Sequence, residues 1–205
     1  MRQVDLGCGT RRSIHEGVDE YIGVDIKEGG VATVACDIGF APLPFEDSSV
    51  DLVTAYDLLE HIPFFIRYYT AEGMKDAKEE RAGEGFLVAP PMGSFGTYSP
   101  MVFLFNEIYR ILKDGGIFFS STPFYPNRGI FQDPTHVSVW TEETISYFCG
   151  DYYGKHYDFG HTSRFVKQAA YDDNNGHIIA TLEARKDVPD TVNFHLSYPR
   201  PYDAT

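Results

Sequence analysis

The chain has 205 residues, which is short enough for one hydrophobic core and a single domain. It is 43% apolar and 23% charged, which excludes wholesale disorder, and no apolar run is long enough to span a membrane. Seventeen basic against 30 acidic residues give a formal charge of -13, which disfavours nucleic acid as a partner because phosphates would be repelled. Cys8, Cys36 and Cys149 have no CxxC spacing, so we expect no disulfide framework, no cysteine zinc site and a cytoplasmic location.

Four apolar segments in the first 60 residues predict neighbouring strands of one sheet. They lie at residues 3–6, 21–25, 32–36 and 50–55. Their short connections and apolar character on both faces indicate a parallel α/β sheet. The first connection, residues 10–17, is close to the shortest crossover that parallel strands allow.

The rest of the chain predicts a long insertion followed by helix, strand and hairpin. Residues 63–100 hold four prolines and several glycines, and we expect them to form a lid-like insertion within one domain, 1–205. An amphipathic helix, a fifth strand, a helix capped by Thr141 and two late strands follow at 102–112, 117–121, 142–149, 164–171 and 177–185. The Asn175-Gly176 step between the late strands indicates a hairpin.

Glycines and acids follow three of the predicted strands. Gly7 and Gly9 allow a tight turn and a close approach of the backbone to a ligand, but Arg12 occupies the third glycine position of a dinucleotide fingerprint. Asp25 ends the second strand, where a carboxylate can accept hydrogen bonds from a ribose diol. Asp37 ends the third strand, where it could accept from the exocyclic amine of adenine. Because parallel strands end at one edge of a sheet, these residues together predict a nucleoside site.

At this point the chain resembles the class I S-adenosylmethionine-dependent methyltransferases, in particular their small-molecule branch. The matching segments are VDLGCG (4–9), GVDI (23–26), CDI (36–38), PFEDSSVDLVTAYDLLEHI (44–62) and NEIYRILKDGGIFFSSTP (106–123). The resemblance implies a doubly wound, seven-stranded, mostly parallel α/β sheet with a reversed last strand, the Rossmann-like methyltransferase fold. Only Met1 and Arg2 precede the first predicted strand, so we expect the helix that the family usually carries before this strand to be absent. We expect either the insertion at 63–100 or a second copy in a homodimer to cover the sheet face and the cofactor entrance that this helix usually covers.

The resemblance also implies S-adenosylmethionine as the cofactor. The positions that it assigns to cofactor binding are Asp5, Gly7, Cys8, Gly9, Asp25, Ile26, Asp37, Ile38, Tyr56 and Asp57. In this assignment Asp25 holds the ribose diol, Asp37 faces adenine, and Asp5 orders the methionine amino group directly or through water. The backbone and side chains at 55–57 border the sulfonium.

Candidate catalytic residues follow the fourth and fifth strands. They are His61, Asp133 and His136, since a histidine oriented by an aspartate can take a proton near neutral pH. Structural roles remain open: His61 packing on the cofactor loop, and His136 ordering a proline-containing turn. No ligand spacing demands a metal and none is expected, although these three residues and Asp57 carry donor atoms that a divalent ion accepts.

The predicted function is methyl transfer from S-adenosylmethionine to a small or medium-sized acceptor. A sugar or secondary-metabolite hydroxyl is favoured over nitrogen, and the acidic charge and 15% aromatic content favour a small molecule over nucleic acid or membrane. Two alternatives stay open. One is another enzyme at the same nucleotide site, cleaving S-adenosylmethionine or using a nicotinamide, and the other is a non-catalytic methyltransferase-like partner subunit.

Overall fold

The computed structural model describes residues 1–69, 95–149 and 161–186. The strands in these ranges are β1 (Arg2–Leu6), β2 (Glu20–Asp25), β3 (Ala32–Ala35), β4 (Val50–Tyr56), β5 (Ile66–Tyr69), β6 (Phe95–Tyr98), β7 (Leu112–Pro123), β8 (Phe165–Asp172) and β9 (His177–Ala184). The helices are α1 (Pro100–Ile111) and α2 (Glu142–Ser146), and 3₁₀ turns lie at Leu59–His61 and Arg128–Phe131. Each strand predicted before the insertion is present within one or two residues of its predicted bounds.

Seven strands form one sheet in the order β3-β2-β1-β4-β7-β9-β8. Neighbours from β3 to β7 pair in parallel, and β9 pairs antiparallel with both β7 and β8. The predicted seven-stranded sheet with a reversed last strand is therefore confirmed. The chain moves outward from β1 to β3 and then crosses to β4, so the strand order reverses between β1 and β4, where open α/β sheets commonly bind ligands.

The core lies against both faces of this sheet. Val4, Leu6 and Val53 are wholly buried in its central strands, as the continuous apolar character of these segments predicts. On one face α1 contributes Phe105, whose ring stacks on Phe148 at a centroid distance of 3.8 Å. Aromatic residues thus fill much of the space between α1 and the strands, which accounts for part of the high aromatic content.

Among the elements after the insertion, three differ from the sequence prediction by two residues or more. α1 begins at Pro100 rather than 102, because the Ser99 hydroxyl caps it by accepting from the Val102 amide at 3.1 Å. β7 begins at Leu112 rather than 117, because Leu112 already pairs with Val50 before the chain turns and pairing resumes at Ile117. The helix capped by Thr141 spans only Glu142–Ser146.

The two ends of the insertion pair with each other. β5 and β6 form a separate two-stranded antiparallel sheet, with Ile66 opposite Tyr98. Residues 70–94, between these strands, lie outside the described residues, and the lid-like role of the insertion stays a prediction. Among the described residues, no helix combines the length and the apolar character that crossing a bilayer requires.

Arg110 of α1 joins the helix to the loop that precedes β4. Its guanidinium donates to the carbonyl oxygens of Leu43 and Phe45 and to the carboxylates of Asp47 and Glu107, all at 2.7–2.8 Å. A flexible lysine could not reproduce this planar set of bonds. Arg110 therefore joins α1 to this loop at several points, and Glu107 adds a bond from the Leu43 amide.

We expect Arg110→Met to destabilise the fold by about 2 to 4 kcal/mol, because several charge-assisted bonds are lost together and two carbonyls lose their donor. Urea unfolding measures the change. Lys113→Met is the matched control, since its pair with Asp51 is partly exposed and should contribute less than about 1 kcal/mol. Equal losses in the two variants would contradict this role of Arg110.

Candidate functional site

The carboxyl ends of β1, β2, β3, β4 and β7 meet at one edge of the sheet, because these strands run in parallel. β9 runs the other way and begins there, with His177 paired to Pro123 at the end of β7. The glycine loop after β1 and the acids after β2 and β3 lie toward one end of this edge. The residues that follow β4 and β7 lie toward the other.

The glycine loop turns sharply at the end of β1. Gly7 and Gly9 have φ angles of 66° and 53°, which L side chains rarely adopt. The amides of Gly7 and Cys8 both donate to the carbonyl oxygen of Val24, at 2.8 and 3.2 Å. A Cβ at Gly7 would lie 2.9 Å from Leu58 Cδ1, whereas a Cβ at Gly9 would have no protein atom within 4 Å. The loop is thus packed at Gly7 and open at Gly9.

We expect Gly7→Ala to destabilise the fold more than Gly9→Ala. In both variants the alanine has to adopt a left-handed backbone conformation, which costs about 1 to 2 kcal/mol. Gly7→Ala costs about 1 to 3 kcal/mol more, because its Cβ overpacks against Leu58. Denaturant unfolding compares them directly. Gly9→Ala serves as the control for backbone strain alone, and equal destabilisation of the two would show that Leu58 yields without cost.

Asp25 is joined directly to the glycine loop. Its Oδ2 accepts from the Gly9 amide at 2.9 Å and its Oδ1 from the Ile26 amide at 2.7 Å. A carboxylate oxygen can accept two hydrogen bonds, so each oxygen of Asp25 keeps an acceptor position. The Ile26 side chain is 66% exposed beside it. The predicted nucleoside-binding acid and the predicted loop are therefore in contact.

Asp37 follows β3 with an exposed side chain, and the neighbouring Ile38 is buried. The Asp37 carbonyl oxygen accepts from the amides of Phe40 and Ala41 at 3.0 and 2.8 Å, which fixes this turn. The structure thus places Asp37 at the same edge as Asp25. Both carboxylates are available to a ligand that covers this end of the sheet.

Asp5 lies beneath the glycine loop rather than on its surface. It is 2% exposed, and its two oxygens accept from the hydroxyls of Thr54 and Tyr21, each at 2.7 Å. Burial raises the pKa of Asp5, and those two hydrogen bonds oppose the shift. Burial also raises the pKa of the Cys8 thiol to about 11, so this cysteine is an unreactive thiol within the loop.

Tyr56 and Asp57 end β4, close to where the strand order reverses. The Tyr56 hydroxyl lies 2.8 Å from His15 Nε2, and this histidine belongs to the helix-free connection between β1 and β2. Asp57 has a φ of 48°, and its Oδ1 lies 2.9 Å from His177 Nε2. His177 carries no local signal in the sequence, because only the pairing of β9 with β7 brings it to this edge.

A second group of polar side chains follows β4 and β7. The rings of His61 and His136 meet edge to face with centroids 4.9 Å apart. Asp133 makes no direct hydrogen bond to either imidazole. Its Oδ1 accepts from the Thr135 hydroxyl at 2.6 Å, and the oxygen of that hydroxyl lies 3.1 Å from His61 Nδ1. The three predicted catalytic residues are therefore neighbours, with Thr135 as an additional link that the sequence analysis missed.

The hydrogen bonds define the tautomers of both histidines. His136 Nδ1 lies 3.0 Å from the Ile130 carbonyl oxygen, and His61 Nδ1 lies 3.3 Å from the Thr135 carbonyl oxygen. A carbonyl oxygen only accepts, so each Nδ1 carries the hydrogen. The neutral rings consequently keep the lone pair on Nε2.

Glu60 is the buried member of this region. The sequence places Glu60 and His61 together after the fourth strand as a candidate pair, but only His61 was given a catalytic role. Glu60 is 0% exposed, neither carboxylate oxygen has a hydrogen-bond partner among the described residues, and Oε1 lies 3.9 Å from His136 Nε2. Burial raises the pKa of Glu60 to about 8. Its place after β4, beside His61, is visible in the sequence, whereas its burial depends on segments that are distant in the chain.

A cavity of about 450 Å³ opens at this region. Its lining is mostly polar and comprises Asp57, Glu60, His61, Pro123, Gly129, Gln132, Asp133, Pro134 and His136. Asp57 belongs both to this lining and to the β4 end that borders the glycine loop. The cavity therefore adjoins the predicted cofactor site, and it contains every predicted catalytic residue.

The fold is similar to that of solved methyltransferases. A chain from the complex between the Haloferax volcanii methyltransferase activator Trm112 and its methyltransferase partner matches 90% of this chain and 83% of its own length, with 15% identity and a TM-score of 0.51. An Aquifex aeolicus SAM-dependent methyltransferase matches with 11% identity, a TM-score of 0.50 and coverage of 90% and 82%. No protein-family model matches the sequence, and a search of curated proteins finds no match. The chain therefore has the methyltransferase fold that its motifs predict.

Proposed function

We propose that this chain, which has the fold of class I methyltransferases, binds S-adenosylmethionine and transfers its methyl group to a small or medium-sized acceptor. The observation that carries the proposal is the contact between the glycine loop and Asp25 at the sheet edge, with Asp37 at the same edge. A nucleoside needs an acceptor for its ribose diol and an acceptor for its base amine, and these two acids supply them.

In this proposal each cofactor group meets a particular part of the edge. The ribose hydroxyls donate to Asp25, and adenine lies between Asp37 and the exposed Ile26. The methionine part passes over the open side of Gly9, where no protein atom occupies the space of a Cβ. Asp5, which is buried below, positions the loop through Thr54 and Tyr21 rather than lining the exposed surface.

The cavity beside Asp57 is the proposed acceptor site. Its volume of about 450 Å³ suits a small molecule, and small-molecule sites commonly span about 300 to 1,000 Å³. We propose an oxygen acceptor, because the Nε2 lone pairs of His61 and His136 can take the hydrogen of a hydroxyl there. Since the sulfonium is already electrophilic, in-line placement of the acceptor supplies much of the rate, about 7 to 11 kcal/mol in well-oriented systems.

Calorimetry with S-adenosylmethionine, S-adenosylhomocysteine and NAD tests the cofactor assignment. We expect the two sulfur nucleosides to bind and NAD not to compete. Tight binding of NAD alone, or failure of all three compounds to bind, would overturn the cofactor assignment. Small-molecule extracts incubated with a methyl-labelled donor then test the reaction by mass analysis: a labelled acceptor supports transfer, whereas donor fragments without one would support cleavage.

A non-catalytic partner subunit is the remaining alternative from the sequence. It predicts that the chain lacks turnover by itself even when it binds the nucleoside. A purified chain that binds S-adenosylhomocysteine and labels an acceptor would exclude this alternative. Binding without labelling in every extract would favour it.

A further inference from the structure

We infer that Glu60, His61 and His136 form a binding site for a divalent transition-metal cation at the wall of the cavity. Each residue offers one ligand atom, and the three atoms lie within 4.8 Å of one another. The set differs from the donors noted in the sequence, because Asp57 contacts His177 and Asp133 contacts Thr135 instead. The inference concerns binding of the metal and holds whether or not the proposed methyl transfer occurs.

The first support is the state of Glu60. Its side chain is fully buried, and neither of its oxygens has a protein hydrogen-bond partner among the described residues. Buried carboxyl groups are normally hydrogen-bonded, paired or bound to a cation, because a buried polar group without a partner is costly whether it is charged or neutral. A cation between Glu60 Oε1 and His136 Nε2, now 3.9 Å apart, would compensate it.

The second support is the orientation of the imidazoles. Both Nδ1 atoms lie by backbone carbonyl oxygens, of Ile130 and Thr135, which leaves both Nε2 lone pairs for a ligand. Histidines that bind metals usually donate their other ring N–H to a carbonyl or a carboxylate in this way. At His61, hydrogen bonds through the Thr135 hydroxyl also connect Nδ1 to the Asp133 carboxylate.

The donor set indicates which cations fit. Two imidazole nitrogens and one carboxylate oxygen suit Mn²⁺, Fe²⁺, Co²⁺ or Zn²⁺, whereas Mg²⁺ and Ca²⁺ prefer oxygen donors throughout. Bond lengths of about 2.0 to 2.2 Å require ligand atoms no more than about 4.2 Å apart. Three ligands of one cation lie closer still, about 3.4 Å apart in a tetrahedral site, so the three atoms, now within 4.8 Å of one another, must move together when a cation binds.

Three protein ligands leave coordination positions open toward the cavity, since Glu60, His61 and His136 all belong to its lining. Water or an oxygen atom of a ligand would occupy them. Under the proposed function, that ligand is the hydroxyl of the methyl acceptor. With a cation bound, His61 and His136 hold the cation, whose charge lowers the pKa of the hydroxyl so that its proton passes to water; without a cation, the two imidazoles take the proton themselves. This last step alone rests on the proposed function.

Metal binding is tested with the full chain, without a polyhistidine tag and after dialysis against EDTA. MnCl₂ and CoCl₂ are titrated by calorimetry, and the visible absorption of bound Co²⁺ reports its ligands. We expect one equivalent to bind and Glu60→Gln, His61→Ala and His136→Ala each to weaken binding by at least about 100-fold. His15→Gln is the control, because it removes an imidazole that contacts Tyr56 and lies outside the cluster.

Absence of a stoichiometric site, or binding that Glu60→Gln leaves unchanged, would overturn the inference. If circular dichroism shows that Glu60→Gln does not fold, the Thr135→Val variant tests the metal site instead. It removes only the hydroxyl that links Asp133 to His61 and should weaken Co²⁺ binding by about tenfold. Unchanged Co²⁺ affinity in that variant would then count against the site.

Failure of the metal site and failure of the proposed function can be distinguished. Asp25 lies in the cofactor region, so Asp25→Ala should retain the Co²⁺ spectrum while it loses S-adenosylhomocysteine. Loss of nucleoside binding in the unmodified chain would reject the methyltransferase proposal and leave the metal result standing.

Discussion

Asp25→Ala is expected to weaken the binding of S-adenosylhomocysteine by at least about 100-fold, because two charge-assisted hydrogen bonds, each worth about 1.5 to 3 kcal/mol, are removed from the ribose diol. The same carboxylate also holds the Gly9 amide at 2.9 Å, so the loop that borders the methionine part loses its anchor as well. Calorimetric titration of the unmodified and variant chains measures the difference in affinity.

Glu28→Ala is the matched control for Asp25→Ala. Glu28 is an exposed acid in the connection between β2 and β3, and its removal changes the net charge equally. We expect its nucleoside affinity to remain within about twofold of the unmodified chain, because surface charges contribute little. A folded Asp25→Ala variant with unchanged affinity would remove Asp25 from the proposed site.

His136→Ala is expected to lower methyl transfer by about 100-fold or more, the range that a positioned proton acceptor contributes. Affinity for S-adenosylhomocysteine should change little, since His136 lines the acceptor cavity rather than the glycine loop. Turnover is measured with the acceptor identified by the labelled donor, and affinity by calorimetry on the same preparation.

The comparison of the two measurements separates a chemical from a structural role. Parallel losses of turnover and nucleoside affinity would mean that His136 merely orders its turn through the Ile130 carbonyl. Arg128→Ala, an exposed position on the same turn, controls for general disturbance of this segment. We expect this control to retain turnover.

The sheet and its cofactor edge could be predicted in detail because their signals are local. Apolar runs alternate with short polar connections, and Gly7, Asp25 and Asp37 each lie at the end of a strand or within two residues of it. Parallel pairing then brings the ends of those strands together without further information. The late hairpin could also be predicted from the sequence, since its two apolar runs flank an Asn-Gly step. These runs pair as β8 and β9.

The acceptor side could be predicted only in part. His61 and His136 were visible as polar residues after strands, but their mutual contact joins segments that lie far apart in the chain. The lid-like insertion stays a prediction: β5 and β6 pair its two ends, and residues 70–94 lie outside the described residues. Long connections have weak periodicity, and their path depends on what they pack against.

The amino-acid order was therefore sufficient for the strands, the glycine turn and the acids at the nucleoside edge, since backbone torsions and apolar patterns act over a few neighbouring residues. Only the tertiary structure brings Asp57 to His177, 120 positions away. It also buries Glu60 beside His136, where the Glu60 carboxylate has no hydrogen-bond partner among the described residues. Such contacts depend on sheet register and on burial by distant segments, and neither leaves a mark in the local sequence.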